Sequence, residues 1–412
     1  MVHGWSRIIF KMMFTYNLSL EKMTFTRGVF FLGEKMKKII ALLCCSLLFG
    51  CNSPKVVNDA TIIDRNVEVK ESITEDFFEG SLIKPISLKE NQNFNSVNEW
   101  YDNSTVIYSV ENNGISSLYL KQLYSGQTDL FFQSEEFFVK IEANADHTLF
   151  AIQTLEKSGG SKVSVLNKMG KEVFVWSGVV DDLQFSWNPF KNDELILTKF
   201  LPSLQFEVYK VNVSKRIMTQ VQVNNPFVQW TGNDQIGYLK WDQTEPKIDA
   251  PLYLKNLTTF KEEKWLEHCI MFFAHHNIVV AISVNPSNST ESLYSFYDSI
   301  TGERIKDVNI PVLNTFSEAW WLPSHDYDKQ KKLFYYMTPY RSGDITEYNE
   351  GFKLTMMSMD GSVEAEVLTT VPNNIPIKLS PNGEWCLLGQ QLEKMINVTT
   401  KQVFDLITIT TK

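Results

Sequence analysis

One repeated unit of roughly 43 residues, with four short strands in each copy, constrains this chain more than any other feature, and that signature belongs to β-propellers. The first anchor is a bulky residue that ends a strand, followed by a polar turn and a second strand. It recurs at Trp100, Ala143, Trp187, Trp230, Phe273, Trp321 and Leu379, in steps of 43, 44, 43, 43, 48 and 58 residues. The second anchor is a tight turn at Ser125-Gly126, Met169-Gly170, Ser214-Lys215, Thr259-Phe260, Thr301-Gly302, Asp360-Gly361 and Thr399-Thr400. Two independent anchors with one period predict an all-β propeller of seven four-stranded blades over residues 94–412, with six or eight as the neighbouring counts. Within one unit the strands are predicted at Asp182 to Trp187, Glu194 to Lys199, Gln205 to Val213 and Ile217 to Val223, because Phe206, Val208, Val211 and Val213 alternate with polar partners. Such a sheet cannot bury both faces alone, so its neighbours must stack on it.

The stretch before the repeats carries an address. Lys37-Lys38 precede a 12-residue apolar run, Ile39 to Gly50, that ends in Leu48-Phe49-Gly50-Cys51. Twelve residues fall short of the roughly 20 that span a bilayer, and the basic start with a small residue before cysteine fits a lipoprotein signal peptide. Residues 36–50 are therefore expected to be removed and Cys51 to receive a covalent lipid. Residues 1–35 lack periodicity, and Gly33-Glu34-Lys35 just before Met36 would be encoded by a purine-rich stretch like a ribosome-binding site. Met36 is the expected start. Residues 51–93 are polar and acidic and are expected to act as a flexible tether.

Removing residues 1–50, which hold 7 Lys+Arg and 2 Asp+Glu, shifts the net charge from −9 to −14. An acidic body repels phosphate backbones, which argues against nucleic acid as a partner. Of five cysteines, Cys269 and Cys386 remain in the body. Both sit in apolar strand-like stretches and are expected to be buried free thiols.

Lys378-Leu379-Ser380-Pro381-Asn382-Gly383-Glu384-Trp385 resembles the Ser-Pro-Asp-Gly-Lys turn that joins the first two strands of TolB-like propeller repeats. Trp187-Asn188-Pro189 and Ala143-Asn144-Ala145-Asp146 are degraded copies. The whole organisation from Met36, a signal with a lipobox and then a degenerate propeller, is similar to the YqgU-type lipoproteins of Bacillus-like bacteria. That resemblance implies a membrane-anchored extracytoplasmic protein and no particular chemistry.

No zinc-protease, dithiol, nucleophile-elbow or phosphate-loop motif is present. No cofactor is expected. His147, His275 and His276 read as turn residues, and His268 beside Cys269 is too sparse for zinc. His325-Asp326-Tyr327-Asp328 reads as a solvated turn, with Asp326 and Asp328 as weak calcium candidates. The recurring tryptophans read as packing between blades. Two loops between second and third strands stand out: Lys240 to Pro246, which holds Trp241, and the long Thr338 to Tyr348. These loops open on the same face as the connections between blades, and lengthened surface loops are where binding residues concentrate. Trp241, Tyr340, Arg341, Asp344 and Tyr348 are the expected contacts with a protein or cell-envelope ligand. The aromatics would serve as anchors, with Arg341 for an acidic group and Asp344 to orient it. Phe200 and Leu201 would add apolar surface. Binding is favoured over catalysis. The alternative is a metal-dependent lactonase- or lyase-like enzyme at the central channel, for which Glu142, Asp181, Asp182 and Glu318 are the inward acidic candidates.

Overall fold

The computed structural model describes residues 83–88, 92–242, 244–245, 247–314 and 322–409. Cys51, the apolar run before it, Trp321 and Glu318 lie outside them. Seven four-stranded antiparallel sheets follow one another at residues 93–134, 137–178, 182–221, 229–269, 271–311, 325–371 and 377–405. They are blades 1 to 7, and in each the strands run A to D from first to last. The third blade has its strands at Asp182–Trp187, Glu194–Leu201, Gln205–Asn212 and Ile217–Val221, in register Trp187↔Leu195 and Val211↔Met218. Among the described residues no helix is long and apolar enough to cross a membrane.

The repeat anchors have physical causes. Each C–D turn closes through a residue with positive φ, namely Gly126, Gly170, Arg216, Phe260, Gly302, Gly361 and Lys401. In five blades an Asn or Asp ending strand C caps the turn with its side chain. Asn212 accepts from the Lys215 N–H at 2.8 Å, and Asn167, Asn256, Asp298 and Asn397 do the same in their own blades. An Asx side chain in this place satisfies turn donors that no ladder reaches.

The recurring tryptophan packs between blades and also ties them. Trp187 Nε1 donates to the Glu142 carbonyl at 2.9 Å, Trp230 to Ser186 at 3.1 Å and Trp100 to Lys378 at 3.1 Å. In every case the acceptor is the residue just before the anchor of the preceding blade. That same position sends side chains forward to the next blade. Glu99 accepts from the Ala143 N–H, Gln229 from Ala274 and Asp326 from Leu379. Apolar clusters fill the space between neighbouring sheets, as where Ala151 and Val165 of blade 2 meet Phe185, Leu195 and Val211 of blade 3.

Blade 6 departs from the sequence reading. Its strand A is His325–Asp328, not a strand ending at Trp321, so the tetrapeptide expected as a solvated turn is an inner strand with Tyr327 and Asp328 buried. Its acids belong to the blade contacts. Asp328 Oδ1 caps the A–B turn through the Gln330 and Lys331 N–H groups, and Asp326 Oδ2 holds Leu379 of blade 7. Burial pushes the Asp326 carboxyl up to about 6. Its two oxygens are engaged by backbone, Oδ1 by the Tyr327 N–H and Oδ2 by the Leu379 N–H. Cys269 and Cys386 are buried free thiols, and burial raises both.

Among the described residues no strand is shared between the first and last blades. Their seam is closed instead by side chains and by a short parallel pair, Ile86–Leu88 beside Ile407–Ile409. Ile83, Ile86, Trp100, Trp385 and Leu406 share one apolar cluster across it. The Lys84 N–H reaches the Leu123 carbonyl in the C–D turn of blade 1, so Ile83 and Lys84 sit on the face of the A–B and C–D turns. From there the chain runs toward the opposite face.

Candidate functional site

The long B–C loop of blade 6 joins Leu333–Pro339 to Phe352–Ser358, and Gly351 at its end lets it lie against the edge of the sheet. At φ +81°, a Cβ on Gly351 would stand 2.8 Å from the Val371 carbonyl. A network of its own bonds then shapes the loop. The Tyr348 hydroxyl donates to the Gly351 carbonyl at 2.6 Å and accepts from the Tyr340 N–H at 2.7 Å, pinning both ends of the loop to one side chain. Arg341 Nε meets Glu350 Oε1 at 2.5 Å, which raises the guanidinium pKa, and the group lies near the Tyr348 ring. Gly343-Asp344 pairs in parallel with Leu313-Asn314, fastening the loop to the blade 5–6 connection.

Four of the five expected contact residues are in this loop, and their roles differ. Tyr340 is 46% exposed, with Lys353 Nζ 4.8 Å from its ring centre. Tyr348 is half-buried and acts as the internal clamp. Asp344 does not orient Arg341. Its Oδ1 caps a turn through Thr346 at 2.6 Å, which lowers its pKa, and Glu350 takes the place beside Arg341. Trp241 is 38% exposed in the B–C loop of blade 4, on the same face but two blades away. Phe200 is buried against Phe227 and adds no surface.

Two open-sided depressions flank the loop. One, of about 340 Å³, is lined by Tyr340, Asn349, Glu350, Gly351 and the end of strand D, Thr370 to Pro372. The other, of about 490 Å³, is lined by Ile345, Tyr348, Phe352 and Asn373 among others. They share Asn349 and Pro372, so they form one continuous groove. Glu350, Asn349 and the D–A connection after Val371 were missed from the sequence. The Asn-Glu-Gly turn and the Asn373-Asn374 doublet were the available signals.

The channel presents a different picture. Glu99, Glu142 and Asp326 all act on the Lys378 ammonium; burial alone would lower its pKa, and the three acids together raise it. Glu99 Oε2 meets Lys378 Nζ at 2.6 Å, while Glu142 pairs with Lys140 at 2.9 Å. Asp181 and Asp182 stand at the other end of strand A from the level of Glu142, so these three acids do not converge. Among the described residues no three His, Cys, Asp or Glu side chains are grouped to hold a metal. On the A–B face, turns from non-adjacent blades meet across the axis. The Phe190 ring lies 4.8 Å from His276, and Lys329 Nζ is 3.4 Å from the Ala145 carbonyl.

With fold and groove in view, the kinship of the chain is clear. It is 24% identical over 310 residues to the uncharacterized lipoprotein YqgU of Bacillus subtilis (strain 168), covering 75% of this chain and 83% of that one. The crystal structure of the uncharacterized protein lmo1340 from Listeria monocytogenes EGD-e superposes with a TM-score of 0.72 at 18% identity, over 80% of this chain and 99% of that one. The β-propeller domain of the Trilobed protease from Pyrococcus furiosus, described as having an open velcro topology, gives 0.55 at 10% identity, over 78% and 100%. Residues 122–389 match the family described as the YqgU-like 6-bladed beta propeller domain, an interval that holds blades 2 to 6 whole with the outer strand of blade 1 and the inner two of blade 7. The chain therefore belongs to the YqgU-like propeller family, here with seven blades.

Proposed function

We propose that this protein is an extracytoplasmic binding module, held to the membrane by lipid on Cys51, whose B–C/D–A face engages a protein or cell-envelope ligand through the blade 6 loop. The observation that carries the reading is the internal bonding of that loop. A neutral insertion has no need of a hydroxyl clamp, an ion pair and a parallel strand contact, whereas a binding loop gains affinity by being set in advance. The kinship with a lipoprotein supports the anchor. The position of Ile83 and Lys84 on the opposite face leaves the B–C/D–A face clear of that segment. The crossing of the axis by A–B turns favours use of a rim over use of the channel.

The test is photo-cross-linking in intact cells from p-benzoylphenylalanine placed at Tyr340, with the same probe at Met169, an exposed residue in a C–D turn, as the opposite-face control. Tyr340 should give discrete adducts that Met169 does not. No adducts, or the same set from both positions, would remove the loop from the reading.

A further inference from the structure

We infer that the groove beside the blade 6 loop takes a short glycan of N-acetylated amino sugars, an inference that rests on the binding reading above. The chemistry of the two depressions differs in a way that one repeating ligand would satisfy. The first offers the exposed Tyr340 ring, the Asn349 amide and Glu350, of which Oε1 is taken by Arg341 while Oε2 remains open. An aromatic face with amide and carboxylate groups around it suits a sugar ring, which has an apolar face and a rim of hydroxyls. The second depression sets Ile345, Tyr348 and Phe352 against Asn373, an apolar wall beside an amide, which suits an acetamido group. Neither Asn349 nor Asn373 has a side-chain hydrogen bond among the described residues, so their donors and acceptors are open to a ligand.

Shape points the same way. Arg341 is paired with Glu350, and Lys353 Nζ is held over the Tyr340 ring, 4.8 Å from its centre. The depressions, at about 340 and 490 Å³, are at the small end of the roughly 300–1,000 Å³ typical of small-molecule sites. They adjoin through Asn349 and Pro372, so consecutive rings of one chain could occupy them. Both are open-sided, and a protein partner anchored by a large side chain would call for an enclosed pit.

The test titrates the full chain carrying Cys51→Ser with the N-acetylglucosamine tetrasaccharide, and with a glucose tetrasaccharide lacking the acetamido groups, by calorimetry and protein NMR. Saturable binding is expected for the first only. Tyr340→Ala should weaken it by about tenfold, the effect of losing one aromatic contact of roughly 1.4 kcal/mol. Asn373→Ala should weaken it by several-fold, with unchanged thermal melting in both variants. No saturation by about 10 mM overturns the inference, as does unchanged affinity in both variants or equal binding of the two sugars. If sugar binding fails while Tyr340 still cross-links discrete partners in cells, the glycan assignment falls and the binding reading stands. If both fail, both fall.

Discussion

Lys378→Met tests how the ring is closed. Lys378 Nζ reaches Glu99 Oε2 at 2.6 Å and the Asn98 carbonyl at 3.4 Å, across the seam between blades 7 and 1, with the Glu99 side chain 5% exposed. Removing one member of a buried pair costs about 3–5 kcal/mol, because the remaining charge is left without its partner. Glu99 retains the N–H groups of Trp100 and Ala143, both at 2.9 Å, and the Lys378 side chain is 26% exposed, so the loss should be at or below the low end, about 2–3 kcal/mol. Methionine retains the length of the side chain, and the Lys378 carbonyl still accepts from Trp100, so packing is a minor contribution. Glu99→Gln leaves Lys378 near Glu142 and Asp326 and should cost less than Lys378→Met. The double variant should lose about 1 kcal/mol, well under the sum of the two, because no unpaired charge remains. Urea unfolding of the Cys51→Ser protein, followed by tryptophan fluorescence, gives all four stabilities. A Lys378→Met loss below about 1 kcal/mol, or strict additivity in the cycle, would refute the argument that this pair secures the seam.

Three further outcomes follow from the geometry. Trp230→Phe should destabilise by about 1–3 kcal/mol, since it leaves the Ser186 carbonyl without its indole donor, and Trp265→Phe, on an outer strand, should cost less in the same melts. Gly383→Ala should destabilise clearly in a thermal melt, because φ is +63° and the new methyl would overlap the Asp328 carboxylate; Gly361→Ala, where nothing lies within 4 Å, should show only the backbone penalty. Burial pushes His275 down to about 3 and His325 to about 4, so below pH 6.5 the unfolded chain takes up protons that the folded one refuses and stability falls with pH. Asp326, pushed up to about 6, binds its proton earlier when folded and offsets one of the two. These three groups together should contribute a slope of about 1.4 kcal/mol per unit between pH 6 and pH 4, to which His147 and His276, also pushed down by burial, add in the same direction; the slope should be steeper in Asp326→Asn, and a flat urea midpoint over that range would contradict it.

Blade 3 was legible strand by strand because its apolar alternation, Asn-Pro turn and 43-residue phase all agree. The C–D turns were legible as turns, while the capping role of Asn167, Asn212 and Asn256 emerged only when the donors were seen. Blade 6 was misplaced for a physical reason. Its extra residues are divided between the connection before His325 and the loop after Pro339, so the phase slips on both sides of strand A. His325 and the two acids also look solvated in sequence, yet they are inner-strand residues that tie and pack against neighbouring blades. The loop itself was legible from its length, aromatics and arginine. The choice of Glu350 over Asp344 as the partner of Arg341 was not, since it depends on the path imposed by Gly351 and by the pairing of Gly343-Asp344 with Leu313-Asn314.

The short parallel pair at the seam has a mechanical meaning. A pull on the chain before Ile83 acts along Ile86–Leu88 in the direction of the strand, so it would shear the contacts with Ile407–Ile409 together instead of peeling them one at a time. The Lys84 bond to Leu123 adds blade 1 to the same grip. Load from an anchored end would thus be shared by the first and last blades at the point where the ring is joined.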